Sequence, residues 1–243
     1  IVVRNLESGE EHEIAFEEEA YSLGLDGGYE YATDTMRFSY ESPSTPEETF
    51  EYDLAARERT LLKVQEVPSG HDADDYVVRR IQATARDGEQ IPVTVLYREG
   101  TPLDGSAPLL LYGYGSYGIT IPASFSTSCL SLVDRGMIYA IAHIRGSMAK
   151  GYGWYLDGKL DNKQNTFNDY VDAGRALVEQ GYTSEGRVVA YGGSAGGLLV
   201  GVAINQDPSL FAGAVGAVPF VDVLNTMSDA ELPLTPPEWP EWG

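Results

Sequence analysis

The spacing of hydrophobic positions changes partway along the chain. Up to about residue 65 they fall in short alternating runs: His12–Phe16, Tyr21–Leu25, Met36–Tyr40 and Thr49–Leu54. Turn residues such as Asp26-Gly27-Gly28 and Ser42-Pro43-Ser44-Thr45-Pro46 part these runs. A period of two, rich in Tyr and Thr and without a helical repeat, predicts antiparallel strands. Six or seven strands fit here, which suits the last one to two blades of a β-propeller and is too few to close one; a small β-sandwich fits the same pattern. Gln65–Asp75, QEVPSGHDADD, is polar and contains Pro and Gly, so residues 66–75 read as a linker. A hairpin follows, Tyr76–Ala85 and Ile91–Tyr97 around Asp87-Gly88. After it, apolar strands at Pro108–Tyr112, Met137–His143, Arg187–Tyr191 and Ala212–Val218 alternate with helical patterns. The clearest helix spans about Thr166 to Gln180, with Phe167, Tyr170, Val171, Gly174, Leu177 and Val178 at i, i+3, i+4, i+7 spacing. Thr166 and Asp169 suit a capping box at its start, and Gly181 suits the C′ position. Strand–helix alternation of this kind predicts an α/β fold with a mostly parallel, doubly wound sheet over residues 76–243.

Within that alternation, RVVAYGGSAGGLLVGVAINQ (Arg187–Gln206) carries the clearest chemistry. A four-residue apolar strand runs into Gly192-Gly193-Ser194-Ala195-Gly196, and a helix leaves it, ending at Asp207-Pro208. Strand, abrupt turn, serine at the apex and helix make a nucleophile elbow; a merely structural glycine-rich strand-to-helix turn is the other reading. Ser194 is expected in a strained backbone conformation with its hydroxyl projecting from the turn. Side chains at 192 or 196 would collide with the adjoining strand or helix. Ala195, Gly197, Gly201 and Ala203 are expected to let the helix lie close to the sheet.

Composition narrows the function classes. The 243 residues carry a net charge of −21, which excludes a general nucleic-acid or anionic-membrane binder and suits cationic partners. Cys129 is the single cysteine and makes no internal disulfide, so the fold needs no oxidising compartment; a cytoplasmic location is expected, with the periplasm left open. No apolar run approaches the ~18 residues of a membrane span. The chain opens at Ile1-Val2-Val3-Arg4 as if in mid-strand and stops at Glu241-Trp242-Gly243 before any closing element. It is therefore expected to be an internal piece of a longer protein. The acidic Glu17-Glu18-Glu19 reads as a solvated loop.

Two other segments bear on catalysis. Tyr112-Gly113-Tyr114-Gly115-Ser116-Tyr117-Gly118 follows a strand where an α/β-hydrolase places the loop that helps build its oxyanion hole. A phosphate-cradling loop would need a following Gly-Lys-Ser/Thr, which is absent. Tyr114 is the candidate donor to an oxyanion; packing at a strand end is the other reading of it. His143, in His143-Ile144-Arg145-Gly146, is the only histidine of the α/β part, but the hydrolase triad runs Ser, then Asp or Glu, then His, and no histidine follows Ser194. His143 therefore reads as a strand-end hydrogen-bonding residue and Arg145 as a loop organiser. The three histidines show no metal-ligand spacing.

Taken in order, YGYGSYG, HIRG, WYLDGKLDNKQNTFNDY, GYTSEGRVVAYGGSAGGLLVGVAINQDPSLF and VPFVDVLNTM resemble the prolyl oligopeptidase family, in particular its oligopeptidase B branch. The match is dense from about Phe38 onward. The resemblance implies a β-propeller capping an α/β-hydrolase domain: residues 1–65 would end the propeller, 66–75 would link, and 76–243 would begin the catalytic domain. It implies a serine peptidase without cofactor or metal that cleaves short cationic peptides after Arg or Lys. Ser194 falls on the nucleophile, and the Ala195 N–H and Tyr114 hydroxyl fall on the oxyanion hole. Glu238, with Tyr117 of the glycine-rich loop, falls on the substrate-binding set. Pro240 stands where a second recognition glutamate is expected, with Glu241 one residue off, and Ala149 stands where relatives often carry an acid. The triad Asp and His would lie outside this chain, in a further segment or a partner chain, leaving it inactive alone. A prolyl, acylaminoacyl or ester specificity, or a non-catalytic fragment of the fold, remain the alternatives.

Overall fold

The computed structural model describes residues 1–28 and 30–243. The N-terminal strands are β1 (Val2–Arg4) and β2 (Glu11–Glu13), which pair with each other, then β3 (Ser22–Asp26), β4 (Thr35–Glu41), β5 (Glu48–Asp53) and β6 (Glu58–Val64). The last four form an antiparallel meander in chain order. Phe38, Tyr40, Phe50 and Tyr52 alternate onto one face and bury a core with Ile14. Glu17-Glu18-Glu19 departs from the solvated loop expected of it. Glu18 is half-buried and accepts hydroxyls from Ser42, Ser44 and Thr45 at 2.8–3.0 Å, and from Tyr40. A carboxylate with this many donors is an anchor for the turn 42–45, since buried charge is retained only where donors satisfy it.

After a turn of 3₁₀ helix at Ala73–Asp75, the hairpin of β7 (Tyr76–Thr84) and β8 (Gln90–Arg98) leads into a second sheet. Its further elements are β9 (Leu109–Tyr112), α1 (Thr127–Val133), β10 (Ile138–Ala142), α2 (Tyr152–Leu156), α3 (Lys163–Glu179), β11 (Val188–Gly193), α4 (Ala195–Gln206), β12 (Phe211–Ala217), α5 (Val223–Ser228) and α6 (Thr235–Trp242). The strand order is β12-β11-β9-β10-β8-β7. Only β8 runs against the others, being antiparallel to both β7 and β10, so the sheet is mostly parallel as the alternation predicted. The fold is thus mixed α/β with more than one sheet. No helix among the described residues is long and apolar enough to cross a membrane.

The predicted central helix starts earlier than expected. α3 begins at Lys163, so Thr166 and Asp169 lie inside it and form no capping box. The Thr166 hydroxyl donates to the Arg145 and Gly158 carbonyls at 2.9 Å, and Asp169 holds Arg145. The expected C-terminus is present: Tyr182 N–H bonds Leu177 O and Gly181 N–H bonds Val178 O, the paired bonds of a Schellman motif. Between α3 and the sheet, Tyr170 is fully buried and donates its hydroxyl to Leu111 O at 2.6 Å. That bond ties α3 to β9 directly beneath the loop that follows it.

Candidate active site

The site is assembled at the ends of β9 and β11, adjacent parallel strands whose following loops emerge on the same side of the sheet. Ser194 lies between β11 and α4 at φ 54°, ψ −118°, with its side chain exposed. Such a conformation costs a non-glycine residue about 1–3 kcal/mol. Three hydrogen bonds hold it: Ser194 N–H to Ala217 O, and Ser194 O accepting from Gly197 N–H and Phe220 N–H, each at 2.9 Å. At about 0.5–1.5 kcal/mol apiece these offset the strain. A Cβ at Gly192 would sit 2.1 Å from Gly196 O, and one at Gly196 would sit 2.8 Å from Gly113 O, so both close approaches expected from the sequence occur. Gly197 packs as tightly against Pro219, but a Cβ at Gly201 would meet nothing within 4 Å. The expectation for Gly201 therefore fails; it faces open space.

The glycine-rich loop passes beside this turn. Tyr114 packs its ring edge over Gly196, two residues after Ser194, and its phenol feels the Ser194 hydroxyl as a neighbour that lowers its pKa. Burial raises the Tyr114 pKa, helped by Tyr112, Glu238 and Glu241 and opposed by that interaction with Ser194. The phenol thus keeps its proton and remains a donor. Ala195 N–H opens α4, where no intrahelical acceptor exists, and pairs with no backbone carbonyl among the described residues. One free N–H and one phenol beside an exposed serine can receive the charge that develops when that serine attacks a carbonyl.

The expected substrate contacts converge on the same place. Tyr117, at φ 58°, donates its hydroxyl to Glu238 Oε2 at 2.8 Å and accepts Trp242 Nε1–H at 3.0 Å. Its backbone N–H bonds Glu241 Oε1 at 3.0 Å. Burial pushes the Tyr117 phenol up, and Glu238 pushes it further. α6 brings Glu238 and Glu241 to one side because residues three apart share a helix face. The sequence comparison placed Glu241 one residue out of step, yet it reaches the loop all the same. Lys163 and Trp242 join the cluster without having been singled out from sequence. A lysine at the first position of a helix reads as solvated, and the sole signal was its place in WYLDGKLDNKQNTFNDY.

His143 and Arg145 take the supporting places foreseen for them. The His143 ring bonds Thr94 Oγ1 of β8 at 2.8 Å, on the side of β10 away from β9 and β11. Burial, with the charge of Arg80, drives its pKa down to about 3, leaving a neutral ring. Arg145 donates to Asp169 and Asp87. Burial opposes its charge, but those carboxylates outweigh burial and hold it protonated. His12 bonds Tyr52, and His71 bonds Ser44 O. Each histidine is thus committed elsewhere in the fold.

Residues 123–243 match the model of the prolyl oligopeptidase family. Over 231 residues the chain is 49% identical to dipeptidyl aminopeptidase BI of Pseudoxanthomonas mexicana, covering 95% of this chain and 32% of that protein. It is 43% identical to protease 2 of Moraxella lacunata, covering 97% of this chain and 34% of the relative. Oligopeptidase B from Trypanosoma brucei, solved with covalently bound antipain, superposes with a TM-score of 0.92 at 40% identity, over 100% of this chain and 35% of that one. The chain belongs to the prolyl oligopeptidase family. It spans about a third of the length of the relatives it matches.

Proposed function

We propose that this chain carries the nucleophile, the oxyanion hole and the substrate-recognition acid of a serine oligopeptidase that cleaves short cationic peptides after Arg or Lys. The observation that carries the reading is the exposed Ser194 in its strained elbow, with Tyr114 packed over Gly196 of the same turn. In the reaction, Ser194 Oγ bonds to the scissile carbonyl carbon and its proton passes to a histidine imidazole. The carbonyl π pair moves onto oxygen, which accepts from Tyr114 O–H and Ala195 N–H. Collapse breaks the C–N bond, the amine leaves with the proton from the imidazolium, and water then hydrolyses the acyl-serine. That imidazole comes from outside these 243 residues, because all three of the chain's histidines are otherwise engaged. In this reading residues 1–65 end a β-propeller, 66–75 link, and 76–243 begin an α/β-hydrolase domain. The four-stranded meander supports the first assignment, and the elbow on a mostly parallel sheet supports the last. The sheet edge at β12, with Val215 47% exposed, suits further strands from a following segment or partner chain.

A basic P1 preference rests on Glu238, one of whose oxygens, Oε1, has no hydrogen-bond partner among the described residues. A carboxylate so presented suits a guanidinium or ammonium. A second reading, release of dipeptides from a peptide's N-terminus, is favoured by the dipeptidyl aminopeptidase that is 49% identical. Comparing Arg peptides with free and with blocked N-termini separates the two. The peptidase reading itself is tested by Ser194→Ala in the complete gene product. Peptide hydrolysis and covalent labelling by a fluorophosphonate should both vanish, and unchanged labelling would overturn it.

A further inference from the structure

Lys163, the first residue of α3, stands where the glycine-rich loop and α6 meet. Its side chain is 13% exposed. The ammonium donates to Gly115 O at 2.7 Å and to Ser116 Oγ at 2.6 Å, and lies 4.8 Å from the Trp242 ring centroid. Glu241 Oε1 is 3.5 Å away, and Glu241 is itself buried. That same oxygen accepts Tyr117 N–H, while Oε2 accepts the Tyr155 hydroxyl at 2.8 Å. Both oxygens of Glu241 are thus used within the protein, whereas Glu238 Oε1 has no hydrogen-bond partner among the described residues. The two glutamates of α6 have separate tasks.

We propose that Lys163 is a positioning residue: its ammonium locks Gly115 and Ser116 to Glu241, so that the oxyanion donor and the P1 acid are held in one frame. Tyr114 immediately precedes the two loop residues that Lys163 grips. Tyr117, immediately after them, is fixed by Glu241 and in turn fixes Glu238. This inference rests on the peptidase reading of Ser194. A buried ammonium is an unfavourable way to make a merely structural tie, because desolvation must be compensated, and apolar residues of similar volume often do as well. Burial indeed brings the Lys163 pKa down to about 8, although Glu241 pulls it up.

The titratable neighbours are Glu238 and Glu241 of α6, Tyr114 and Tyr117 of the loop, and Tyr155 and Lys159 at α2 and just beyond it. All three tyrosines are pushed above their ordinary range and stay neutral through pH 8, and Lys159 is likewise raised and stays charged. Lys163 is charged below its pKa and neutral above it, so the frame loosens as pH rises through about 8.

The test uses the complete gene product and follows kcat and KM from pH 6 to 10 with fluorogenic peptides bearing Arg or an apolar residue at P1. Wild-type kcat should fall above pH 8 for both substrates, with kcat/KM falling further for the Arg peptide because the P1 acid loosens as well. Lys163→Met should lower kcat about tenfold at pH 7 for both, less than the ~10²–10³ lost when an oxyanion donor is removed outright because here the donor is only displaced, and should abolish the alkaline limb. Glu241→Gln keeps the shape but removes the anion, so it should shift that limb to lower pH. A Lys163→Met enzyme with wild-type kcat and limb, or a loss confined to Arg peptides, would overturn the proposal. Tryptophan fluorescence gives a readout independent of turnover: a transition near pH 8 should disappear in both Lys163→Met and Trp242→Phe. If wild type has no Ser194-dependent turnover, the peptidase reading fails, and absence of the fluorescence transition would separately sink the Lys163 assignment.

Discussion

The Tyr117 hydroxyl donates to Glu238 Oε2 at 2.8 Å, joining residues 121 positions apart in the chain. Trp242 Nε1–H donates to the same hydroxyl at 3.0 Å, so the phenol is oriented from behind and passes that orientation to the carboxylate. In the proposed peptidase, an acid held this way would lose little freedom when a cation arrives, which is how preorganisation raises affinity.

Tyr117→Phe should therefore act through Glu238. A hydrogen bond to a charged group is worth about 1.5–3 kcal/mol, so kcat/KM for Arg peptides should fall by about 10-fold to 100-fold. Glu238→Gln should cost more, on the order of 2–4 kcal/mol for Arg at P1, while apolar P1 substrates change little. Steady-state kinetics of both variants with paired substrates decides this. Equal losses for Arg and apolar peptides would make the pair structural.

In the proposed reading, Tyr114→Phe would remove one oxyanion donor and nothing of the P1 site. The expected loss is about 10²–10³ in kcat with KM nearly unchanged, the size measured when other enzymes lose such a donor. Pre-steady-state acylation with an ester substrate reads this step directly. A variant that acylates at the wild-type rate would return Tyr114 to a packing role.

The 243-residue chain by itself should be catalytically silent. A serine hydroxyl needs a base within hydrogen-bond reach, and no imidazole follows Ser194 in the sequence. Removing triad members typically costs several orders of magnitude even with an oxyanion hole in place. The purified chain assayed with a fluorogenic Arg peptide should show no Ser194-dependent turnover; rates like those of the complete product would require an unrecognised base.

His143 should make the fold sensitive to mild acid. Its folded-state pKa, about 3, lies below the ordinary value of 6.5, so the unfolded chain binds more protons between those two values. Stability from this residue is full above pH 6.5 and is lost as pH falls toward 3. His143→Gln can still bond Thr94 but cannot take a charge, so it should flatten that part of the stability profile. Urea unfolding at pH 7, 5.5 and 4 measures the difference between the two proteins, which cancels the shared carboxylate contribution. Parallel profiles would mean that His143 does not titrate as described.

Local pattern alone was enough for the strands of the large sheet, for the body of α3 and for the elbow. Alternation marked β3, β4 and β5 of the meander to within a residue at each end but assigned no run to β6, and Val188–Gly193, Ser194 and Ala195–Gln206 lie where apolar run, glycines and Asp207-Pro208 put them. These features are legible because period and backbone sterics act over a few neighbouring residues. The capping box failed for a nonlocal reason. Thr166 and Asp169 have the right spacing, but their side chains are claimed by Gly158 and Arg145 in the adjoining loops, and α3 starts a turn earlier. Gly201 looked like a packing glycine from its spacing, yet no element lies over it.

The sequence by itself determined the mixed α/β alternation, the strained serine and the residue types able to serve an oxyanion and a cation. Tertiary structure decided how those residues meet. Glu241, one position out of step in the linear comparison, reaches Tyr117 because a helical turn brings positions three apart onto one face. Lys163, which the sequence pattern left outside the helix it predicted, is buried because α6 and the 113–118 loop close over it. Burial and hydrogen-bond partners come from segments tens of residues away, and no window of neighbouring positions contains them. The charge state of Lys163 and His143, and with it the pH behaviour of the protein, is accordingly a property of the packed fold.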